Sequence, residues 1–411
     1  ILIINIYLTN PLFIHARFFG ALMKSSAAKI MPAHNVGVHS VLTSVDRVTG
    51  DLRRGEPVVV TLGTQSLWLM AAEAVDMHHI DEFNALSKEP VKVLLTGQRA
   101  LRLGLVTTLE TGWVAESKTA LDAHLIGLAA DPTLVDVDHD ATAQILSAWK
   151  VKPADRLEMA CVKLTKLSRL LPAALISNVT GPIPEHILVV NAEDVEAYSV
   201  EAANRLQIVS QAHVPLEDAE LAKIVAFRPH DGGTEHLAIV VGEPDTTKPV
   251  MIRIHSECFT GDLLGSMRCD CGNQLRGAIA LMASTGGGIL LYMQQEGRGI
   301  GLINKLRAYQ LQDSGLDTVD ANLAIGYDED EREYLPAAQM LDRLGVKSIR
   351  LLTNNPRKVD ALTRYGVDVV ERVAHVFPAN HHNRGYLYTK ATKGGHLFNY
   401  PEPDMVTSIK V

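Results

Sequence analysis

Three of the four cysteines lie in one short stretch, which reads RIHSECFTGDLLGSMRCDCG from Arg253 to Gly272. Cys258, Cys269 and Cys271 have the spacing C-x10-C-x-C and are surrounded by polar, charged and glycine residues. Clustered thiolates are ligands that zinc prefers, and they also form redox centres. Three thiolates would leave a tetrahedral zinc ion one open position, the arrangement of a catalytic rather than a structural site.

Two other interpretations of the cysteines stay open on spacing alone. A fourth ligand such as His255 would close the site and make the zinc structural. A redox pair at Cys269 and Cys271 is the second, although such pairs usually have the spacing C-x-x-C. Charged residues around the cluster are more numerous than a structural zinc site requires, and further reactive residues recur downstream. An open catalytic site is therefore favoured.

The composition indicates a soluble globular protein of about two to three domains. Of 411 residues, 47% are hydrophobic and 21% are charged. The formal net charge of −8 gives no reason to expect nucleic acid, which usually selects a basic surface. Four cysteines cannot form a disulfide framework, so a reducing cytoplasm is expected. Cys161 stands alone in a helical pattern and is expected to be a small buried residue.

Residues 1–35 are expected to form an irregular extension. Residues 1–17 lack an initiating methionine, a basic segment and an uninterrupted apolar run of about 18 residues. A secretory signal or membrane anchor is therefore disfavoured, and order is expected to begin near Met31. Residues 401–411 are expected to form a tail.

Residues 36–205 alternate short apolar runs with amphipathic stretches, which predicts strands and helices. Val58–Leu62 is predicted as a strand. Residues 66–75 fit either a strand or the beginning of a helix. A helix over 157–171 is followed by a strand from Ala173.

The remainder of the chain again mixes helices and strands, with polar motifs at strand ends. Residues 227–233 are rich in turn formers and predict a boundary. Two strands beyond them, over 237–241 and 250–255, are expected to pair. The later elements are two strands and four helices, over 289–293, 349–352, 273–284, 302–313, 333–344 and 357–365. The sequence predicts an α+β or mixed α/β protein of two domains, each a mixed sheet with flanking helices.

Three further polar stretches suggest an anionic ligand. EGRGIG at 296–301 follows an apolar strand; its glycines let N–H groups approach an anion, and Arg298 can bind phosphate through two donors. It matches neither the Walker loop nor the dinucleotide-binding loop. DEDEREY at 328–334 is typical of a solvated helix N-terminus, apart from Arg332. TNNPRK at 353–358 lies between a strand and a helix, where open α/β sheets bind ligands.

Together these stretches resemble the GTP cyclohydrolase II family, whose reaction opens riboflavin biosynthesis. The resemblance covers about residues 205–400, and a domain over 206–400 is predicted. Its motifs, in one order, are R-[IV]-H-S-E-C-x-T-G-D, G-S-x-R-C-D-C-G-x-Q-L, Q-x-E-G-R-G-I-G-L, A-Y-x-L-Q-D, D-T-V-x-A-N, D-x-R-x-Y and L-L-T-N-N-P-x-K.

The resemblance implies a role for each matching residue. The ligands of one Zn²⁺ per subunit would be Cys258, Cys269 and Cys271. Asp330 would be the proton acceptor, Arg332 the nucleophile, and Tyr309 a residue near the guanine. The GTP contacts would be Arg253, Ile254, His255, Ser256, Glu257, Gln274, Glu296, Gly297, Arg298, Thr318, Thr353 and Lys358.

The implied reaction converts GTP and water to 2,5-diamino-6-(5-phosphoribosylamino)pyrimidin-4-one, formate and diphosphate. Water activated by zinc can attack carbon 8 of guanine, which lies between two nitrogens, and open the ring. Loss of diphosphate needs cations at phosphorus, here Arg298, Lys358 and an expected Mg²⁺. Because arginine stays protonated above about pH 12, Arg332 fits a phosphate clamp as well as a nucleophile. The family also implies a homodimer, and the composition and sequence pattern predict a cytoplasmic protein that binds neither nucleic acid nor membrane.

Residues 36–205 resemble the 3,4-dihydroxy-2-butanone 4-phosphate synthase domain that often precedes this cyclohydrolase. The frame is retained in LRRGEPVVV at 52–60 and MAAE at 70–73. Between them, the family's acidic stretch, which binds Mg²⁺ and ribulose 5-phosphate, is replaced by TLGTQSLW at 61–68. Without carboxylates there, a hard divalent cation has no charged oxygen ligand. The later G-H-T-E-A motif is also replaced, near RLEMA at 156–160.

We therefore expect this first domain to be inactive as a synthase and to have a structural or dimer-supporting role. Two alternatives of different class stay open. One is a bifunctional enzyme that still makes butanone phosphate. The other is a non-catalytic zinc- or GTP-binding scaffold, against which the retained Asp330, Arg332 and clustered cysteines argue.

Overall fold

The computed structural model describes residues 40–117, 120–134 and 148–397. The predicted extension over 1–35 and the tail over 401–411 lie outside these residues. No helix in the described part of the chain is long and apolar enough to cross a membrane. Two seven-stranded sheets organise the structure, one formed within residues 58–191 and the other within residues 206–373.

The first sheet is mostly antiparallel. Its strands are β1 (Val58–Leu62), β2 (Gln65–Ala71), β3 (Lys92–Thr96), β4 (Gly112–Glu116), β5 (Lys150–Pro153), β6 (Ala173–Asn178) and β7 (Val189–Asn191). The accompanying helices are α1 (Val41–Arg54), α2 (Met77–Ser87), α3 (Gly97–Arg102), α4 (Ala123–Ala130), α5 (Arg156–Leu167) and α6 (Ala192–Asn204). The strand order is β5-β4-β3-β6-β2-β1-β7, with β1 and β7 parallel.

Local sequence sets the ends of the helices that cover this sheet. The Ser40 side chain accepts a hydrogen bond from the Thr43 N–H and caps α1, which ends at Gly55 with a φ of 85°. Glycine adopts that left-handed conformation without a steric penalty. Asp155 and Glu158 form a capping box at the beginning of α5, which satisfies two otherwise unpaired N–H groups.

The second sheet is mixed and forms the edge at which the polar motifs meet. Its strands are β8 (Leu206–His213), β9 (Ala222–Pro229), β10 (His236–Val241), β11 (Val250–Ser256), β12 (Gly288–Met293), β13 (Ser348–Leu352) and β14 (Asp368–Val373). Its helices are α7 (Cys271–Ser284), α8 (Leu302–Asp313), α9 (Thr318–Ile325), α10 (Leu335–Arg343), α11 (Pro356–Arg364) and α12 (Arg384–Thr392). In the order β14-β13-β11-β12-β10-β9-β8, the first four strands are parallel to one another and the remaining pairings are antiparallel.

The predicted fold class, two mixed sheets with flanking helices, is confirmed, as are the strand Val58–Leu62 and the helix over 302–313. The predicted pairing of 237–241 with 250–255 is wrong, because β12 lies between β10 and β11. Residues 227–233 are no boundary but lie where β9 turns into β10.

One helix begins later than predicted, and this changes the setting of the acidic run. The predicted helix over 333–344 begins at Leu335, because Pro336 lacks an N–H and fits only the first helical turn. Residues 328–334 therefore form a loop rather than a helix N-terminus.

The two halves share a hydrophobic core and have almost no linker between them. Helix α6 ends at Asn204 and β8 begins at Leu206, so Arg205 alone joins them. One buried cluster combines residues of both halves, among them Val59, Trp68, Phe83, Ile300, Ala308, Ala324 and Tyr327. Burial of a common apolar surface stabilises the two sheets as one body.

Candidate active site

A cavity opens at the carboxyl ends of β11, β12 and β13, the edge at which open α/β sheets bind ligands. It encloses about 1130 Å³ including its open mouth, a size in the range of small-molecule sites. Every predicted site residue except Asp330 lines it. The loops after three neighbouring strands thus bring together residues that are far apart in sequence.

The three clustered cysteines form a compact sulfur group in this cavity. Their Sγ atoms all lie within 4.8 Å of one another, and the Sγ atoms of Cys258 and Cys269 are 3.7 Å apart. A Cβ built on Gly261 would lie 2.7 Å from the Cys269 Sγ and 3.0 Å from the Cys258 Sγ. Only glycine therefore fits against the sulfur atoms at position 261.

The loop that carries Cys258 is fixed by Asp262. This carboxylate accepts hydrogen bonds from the Cys258 N–H at 3.0 Å, from His255 Nε2 at 3.0 Å and from the Tyr292 hydroxyl at 3.0 Å. His255 is therefore bound to Asp262 and does not belong to the sulfur group. The interpretation with His255 as a closing fourth ligand is not supported by this arrangement.

A buried lysine that the sequence analysis did not single out contacts the sulfur group. Lys305 Nζ lies 3.1 Å from the Cys258 Sγ and 2.8 Å from Glu296 Oε1. Hydrogen bonds from Cys269 and Cys271, together with Lys305, lower the pKa of the Cys258 thiol. The thiolate so formed, helped by burial, raises the pKa of Cys269 to about 11. A divalent cation would favour ionisation of all three.

The EGRGIG loop after β12 has an unusual backbone. Gly297 and Arg298 have φ values of 64° and 63°, a left-handed conformation that is costly for a non-glycine residue such as Arg298. The carbonyl of Arg298 accepts the Glu331 N–H, and Arg298 Nη1 donates to the Glu329 carbonyl at 3.2 Å. The strained loop is therefore held against the acidic loop.

Buried cations form another part of the cavity lining. Arg253, Arg332 and Lys358 are each largely buried, and Lys358 Nζ donates to the Ile254 carbonyl at 2.9 Å. Burial, followed by the charges of Arg332 and Arg253, lowers the pKa of Lys358 well below its usual value. Several positively charged groups that repel one another in a buried cleft indicate a binding site for an anion.

Asp330 lies behind Arg332 rather than in the cavity lining. Its two carboxylate oxygens accept hydrogen bonds from Arg332 Nε at 2.7 Å and Nη2 at 2.5 Å. Burial alone would raise the pKa of Asp330, but the Arg332 hydrogen bonds outweigh it and lower the pKa. Burial likewise opposes the charge of Arg332, yet Tyr334 and Asp330 raise its pKa. The carboxylate orients the guanidinium and keeps it protonated.

The sequence analysis missed several cavity residues besides Lys305. Asn354 is in the TNNPRK stretch, whereas Tyr386, Lys390 and His396 come from α12 and the residues after it. One signal was available, because residues 386 and 390 are four apart and therefore share a helix face. Helix α12 was not predicted from the sequence, so the spacing of residues 386 and 390 could not be read as a shared helix face.

The first half contacts the helices that form this cavity. Arg307 of α8 binds Glu73 and Asp131 of the first half, each at 2.9 Å. The Tyr327 hydroxyl donates to the Leu170 carbonyl at 2.6 Å. Lys166 forms an ion pair with Glu331, at 2.6 Å, in the acidic loop. The first half therefore supports α8 and the loop that carries Asp330 and Arg332.

A sulfur cluster beside buried cations, at a sheet edge, has the layout of a metal-binding enzyme with an anionic substrate. Residues 207–374 match the family model described as GTP cyclohydrolase II. A GTP cyclohydrolase-2 from Azospirillum brasilense is 47% identical over 375 residues, which cover 87% of this chain and 95% of that protein. The chain belongs to the GTP cyclohydrolase II family.

Two further comparisons concern the first half. The riboflavin biosynthesis protein RibBA from Synechocystis is 44% identical over 253 residues, which cover 58% of this chain and 45% of that protein. The solved structure of RibBX, a two-domain 3,4-dihydroxy-2-butanone 4-phosphate synthase from A. baumannii, aligns over 81% of this chain and 99% of its own. Its identity is 18% and its TM-score 0.30, too weak a likeness to support an argument. The Azospirillum match covers more than the family model does and thus extends into the first half.

Proposed function

We propose that this enzyme is a zinc-dependent GTP cyclohydrolase II. It would convert GTP and water to 2,5-diamino-6-(5-phosphoribosylamino)pyrimidin-4-one, formate and diphosphate, as the first step of riboflavin biosynthesis. One observation carries the proposal: three thiols within 4.8 Å of one another share a cavity with the buried cations Arg253, Arg332 and Lys358. The thiols would hold the zinc ion that ring opening needs, and the buried cations would bind the triphosphate.

The donor set fits zinc. Cys258, Cys269 and Cys271 offer three soft ligands, the hydrogen atom of Gly261 leaves room beside them, and no fourth ligand joins the group among the described residues. One Zn²⁺ per subunit held in this way supplies a Lewis acid with one open position for water. Glu296, which accepts the Phe259 N–H, would order the neighbouring loop, and Lys305 would offset the thiolate charge.

The remaining side chains bind and orient the nucleotide in this proposal. Tyr309 contacts Lys305 and Arg268 near the sulfur group and would lie against the guanine. Arg298, Arg332 and Lys358 would bind the phosphates, and Mg²⁺ would arrive as part of the Mg²⁺–GTP substrate. The other predicted GTP contacts line the same cavity.

We further propose that Arg332 acts as a phosphate clamp rather than as a nucleophile. A guanidinium must lose its proton to act as a nucleophile, and Asp330 raises its pKa through two hydrogen bonds. Arg332→Lys would retain much of the diphosphate release if only a charge is needed. Complete loss in that variant, with normal folding and zinc content, would instead favour a covalent guanidinium adduct.

The experiment that tests the function is an assay of purified protein with GTP and Mg²⁺. We expect formate and the ultraviolet absorbance of the diaminopyrimidine product to appear together. Removal of zinc with a chelator should abolish ring opening, and added zinc should restore it. A scaffold would bind GTP without releasing formate, so binding with no product would overturn the proposal.

We also infer that the first half does not make butanone phosphate. The segment in place of the family's acidic stretch is a tight hairpin, in which Leu62 pairs with Gln65 and Gly63 has a φ of 59°. Glu158, near the replaced G-H-T-E-A motif, is buried and bound to Lys152 at 2.8 Å and to the Asp155 N–H. The hairpin has no carboxylate, and the Glu158 carboxylate is already bound. Neither segment therefore provides a ligand for a divalent cation.

The full chain supplied with ribulose 5-phosphate and Mg²⁺ should therefore yield no butanone phosphate. Product at a rate above that of buffer alone would support the bifunctional alternative.

We also propose that the two domains span residues 36–205 and 206–400, with residues 1–35 and 401–411 outside them. We propose a cytoplasmic protein and the homodimer that the family resemblance implies. Light scattering of the purified protein would test the homodimer.

A further inference from the structure

The last described segment, residues 384–397, follows the end of the family-model match at residue 374. It nevertheless supplies part of the cavity lining, through Tyr386, Lys390 and His396. None of the motifs that identify the family contains these residues. The segment consists of α12 and the five residues that follow it.

A hydrogen bond and ion pairs fasten the C-terminal end of this segment. The Leu397 N–H donates to the Asn354 carbonyl at 2.8 Å, within the TNNPRK stretch. Lys393 forms ion pairs with Asp317 and, at 2.8 Å, with Asp320, at the beginning of α9. The segment is therefore a built part of the cavity.

Helix α12 also contacts the sulfur group through one intermediate. Lys390 Nζ binds Asp270 Oδ1 at 2.8 Å, and Asp270 lies between Cys269 and Cys271 in the sequence. The same ammonium group lies 4.4 Å from the centre of the Tyr386 ring. Asp270 in turn accepts a hydrogen bond from Gln274, so the helix orients a predicted GTP contact.

His396 lines the cavity together with the cations Arg298, Arg332, Lys358 and Lys390. Its Nδ1 lies 3.1 Å from the Lys390 carbonyl, which fixes the orientation of the ring. Burial, followed by the charges of Lys390, Arg332, Lys358 and Arg298, lowers the pKa of the imidazole to about 3. The ring thus lies at the cationic part of the cavity, where an anionic ligand would bind.

We propose that residues 384–397 complete the nucleotide site and that His396 is a further contact to the triphosphate of GTP. This inference rests on the proposed function. The Nδ1–H of His396 donates to the Lys390 carbonyl, so a contact to phosphate needs a second proton, on Nε2. A triphosphate would offset the surrounding positive charge, raise the pKa of the imidazole and accept a hydrogen bond from the protonated Nε2, which stabilises the complex more than a neutral hydrogen bond does. A monophosphate has fewer charges at the cationic part and would gain less.

The test compares GTP with GMP in the full-length, zinc-loaded protein. Diphosphate release from GTP gives kcat and KM, and inhibition of that reaction gives the inhibition constant of GMP. His396→Ala should raise the KM for GTP about tenfold or more, while the inhibition constant of GMP changes much less. His396→Gln, which keeps a donor, should recover part of the loss.

Thr392→Ala is the matched control. Thr392 lies in the same segment, is exposed, does not line the cavity, and its hydroxyl donates only to the Tyr388 carbonyl of its own helix, so both constants should stay as in the unmodified protein. Thermal unfolding and zinc content are measured for all variants. Equal weakening of GTP and GMP by His396→Ala, or no change in either, would overturn the phosphate contact. Failure of the unmodified protein to process GTP would instead overturn the proposed function.

Discussion

The two halves of the chain use polar residues at the ends of their strands in opposite ways. In the first half, β1 and β2 are joined by a tight turn at Gly63 and Thr64 that carries no carboxylate. In the second half, the loops after β11, β12 and β13 carry thiols, cations and carboxylates into one cavity.

Three carboxylates of the first half have structural partners. Glu73 and Asp131 bind Arg307 of the second half, and Glu158 caps its own helix. Each has its charge matched by a structural partner. Through Glu73 and Asp131 the first half contributes to the neighbouring site by holding α8 in place.

The largest contrast is expected between two cysteines, one in each half. Cys269→Ser should lower formate release by about a thousandfold, because loss of a thiolate ligand removes the Lewis acid and not only a contact. Cys161→Ser should leave activity and zinc content nearly unchanged and lower the free energy of unfolding by about 1–3 kcal/mol, since Cys161 is buried in the core. Formate release, zinc content and urea unfolding measure these effects.

The Cys269→Ser variant also tests whether ring opening and diphosphate release are separate steps. Diphosphate release that continues in Cys269→Ser would show that ring opening and diphosphate loss are independent. Loss of zinc in Cys161→Ser, or full activity in Cys269→Ser, would contradict the assignment of the sulfur group.

A second contrast concerns one carboxylate from each half. Asp330→Asn should lower turnover by about a hundredfold, the usual scale for an acid–base group or the residue that orients it. Glu158→Gln should leave turnover unchanged, because that carboxylate only caps α5 and binds Lys152. The kcat of both variants is measured at saturating GTP; a matching fall in Glu158→Gln would contradict the structural role of this residue.

The contact between the halves is tested by Glu73→Gln. Removing one charge from the partly buried Glu73–Arg307 pair should lower the free energy of unfolding by about 1–3 kcal/mol, and kcat should fall because α8 carries Lys305. Glu235→Gln is the control, since its ion pair with Arg228 is exposed and contributes little. Unfolding in urea together with steady-state kinetics measures both. Equal effects in the two variants would contradict a supporting role for the first half.

The smallest effect is expected for His236, whose Nδ1 accepts the Gln294 N–H at 3.1 Å. Burial, with a contribution from Arg169 of the first half, lowers its pKa to about 4. The unfolded state takes up a proton near pH 6.5, so stability is retained above that value and lost as the pH falls towards 4. Between pH 7 and 4.5 this group should remove about 2 kcal/mol from the free energy of unfolding, and His236→Gln should reduce that loss. Equal losses in both proteins would contradict the pKa.

Much of the cavity lining could be predicted from the sequence, because its residues lie in short motifs that resemble those of a known family. Cys258, Glu296 and Thr353 each follow an apolar strand, and strands that share an edge bring such residues together. The position of Asp330 behind Arg332 depends on a loop conformation that no periodic pattern encodes. Lys305 resembled an ordinary helix residue, since its partners Cys258 and Glu296 are distant in sequence.

Elements with a strong local pattern were predicted correctly. The order of strands in the second sheet was not, because it depends on pairing between distant parts of the sequence. Val58–Leu62 is a plain apolar run between turn formers, so its assignment is straightforward. In the sheet β12 lies between β10 and β11, although in the sequence it follows both of them. Helix α12 has little amphipathic pattern because its buried residues include Thr389 and Lys390.

The junction at Arg205, a single residue between α6 and β8, has a consequence for synthesis on the ribosome. Domains of a growing chain fold as units, the N-terminal one first. The first half is thus complete when α8 emerges, and it already presents Glu73, Asp131 and the Leu170 carbonyl to Arg307 and Tyr327. Because a single residue joins the halves, the second half begins to form beside that surface. We expect the first half to act as a template for α8 during translation.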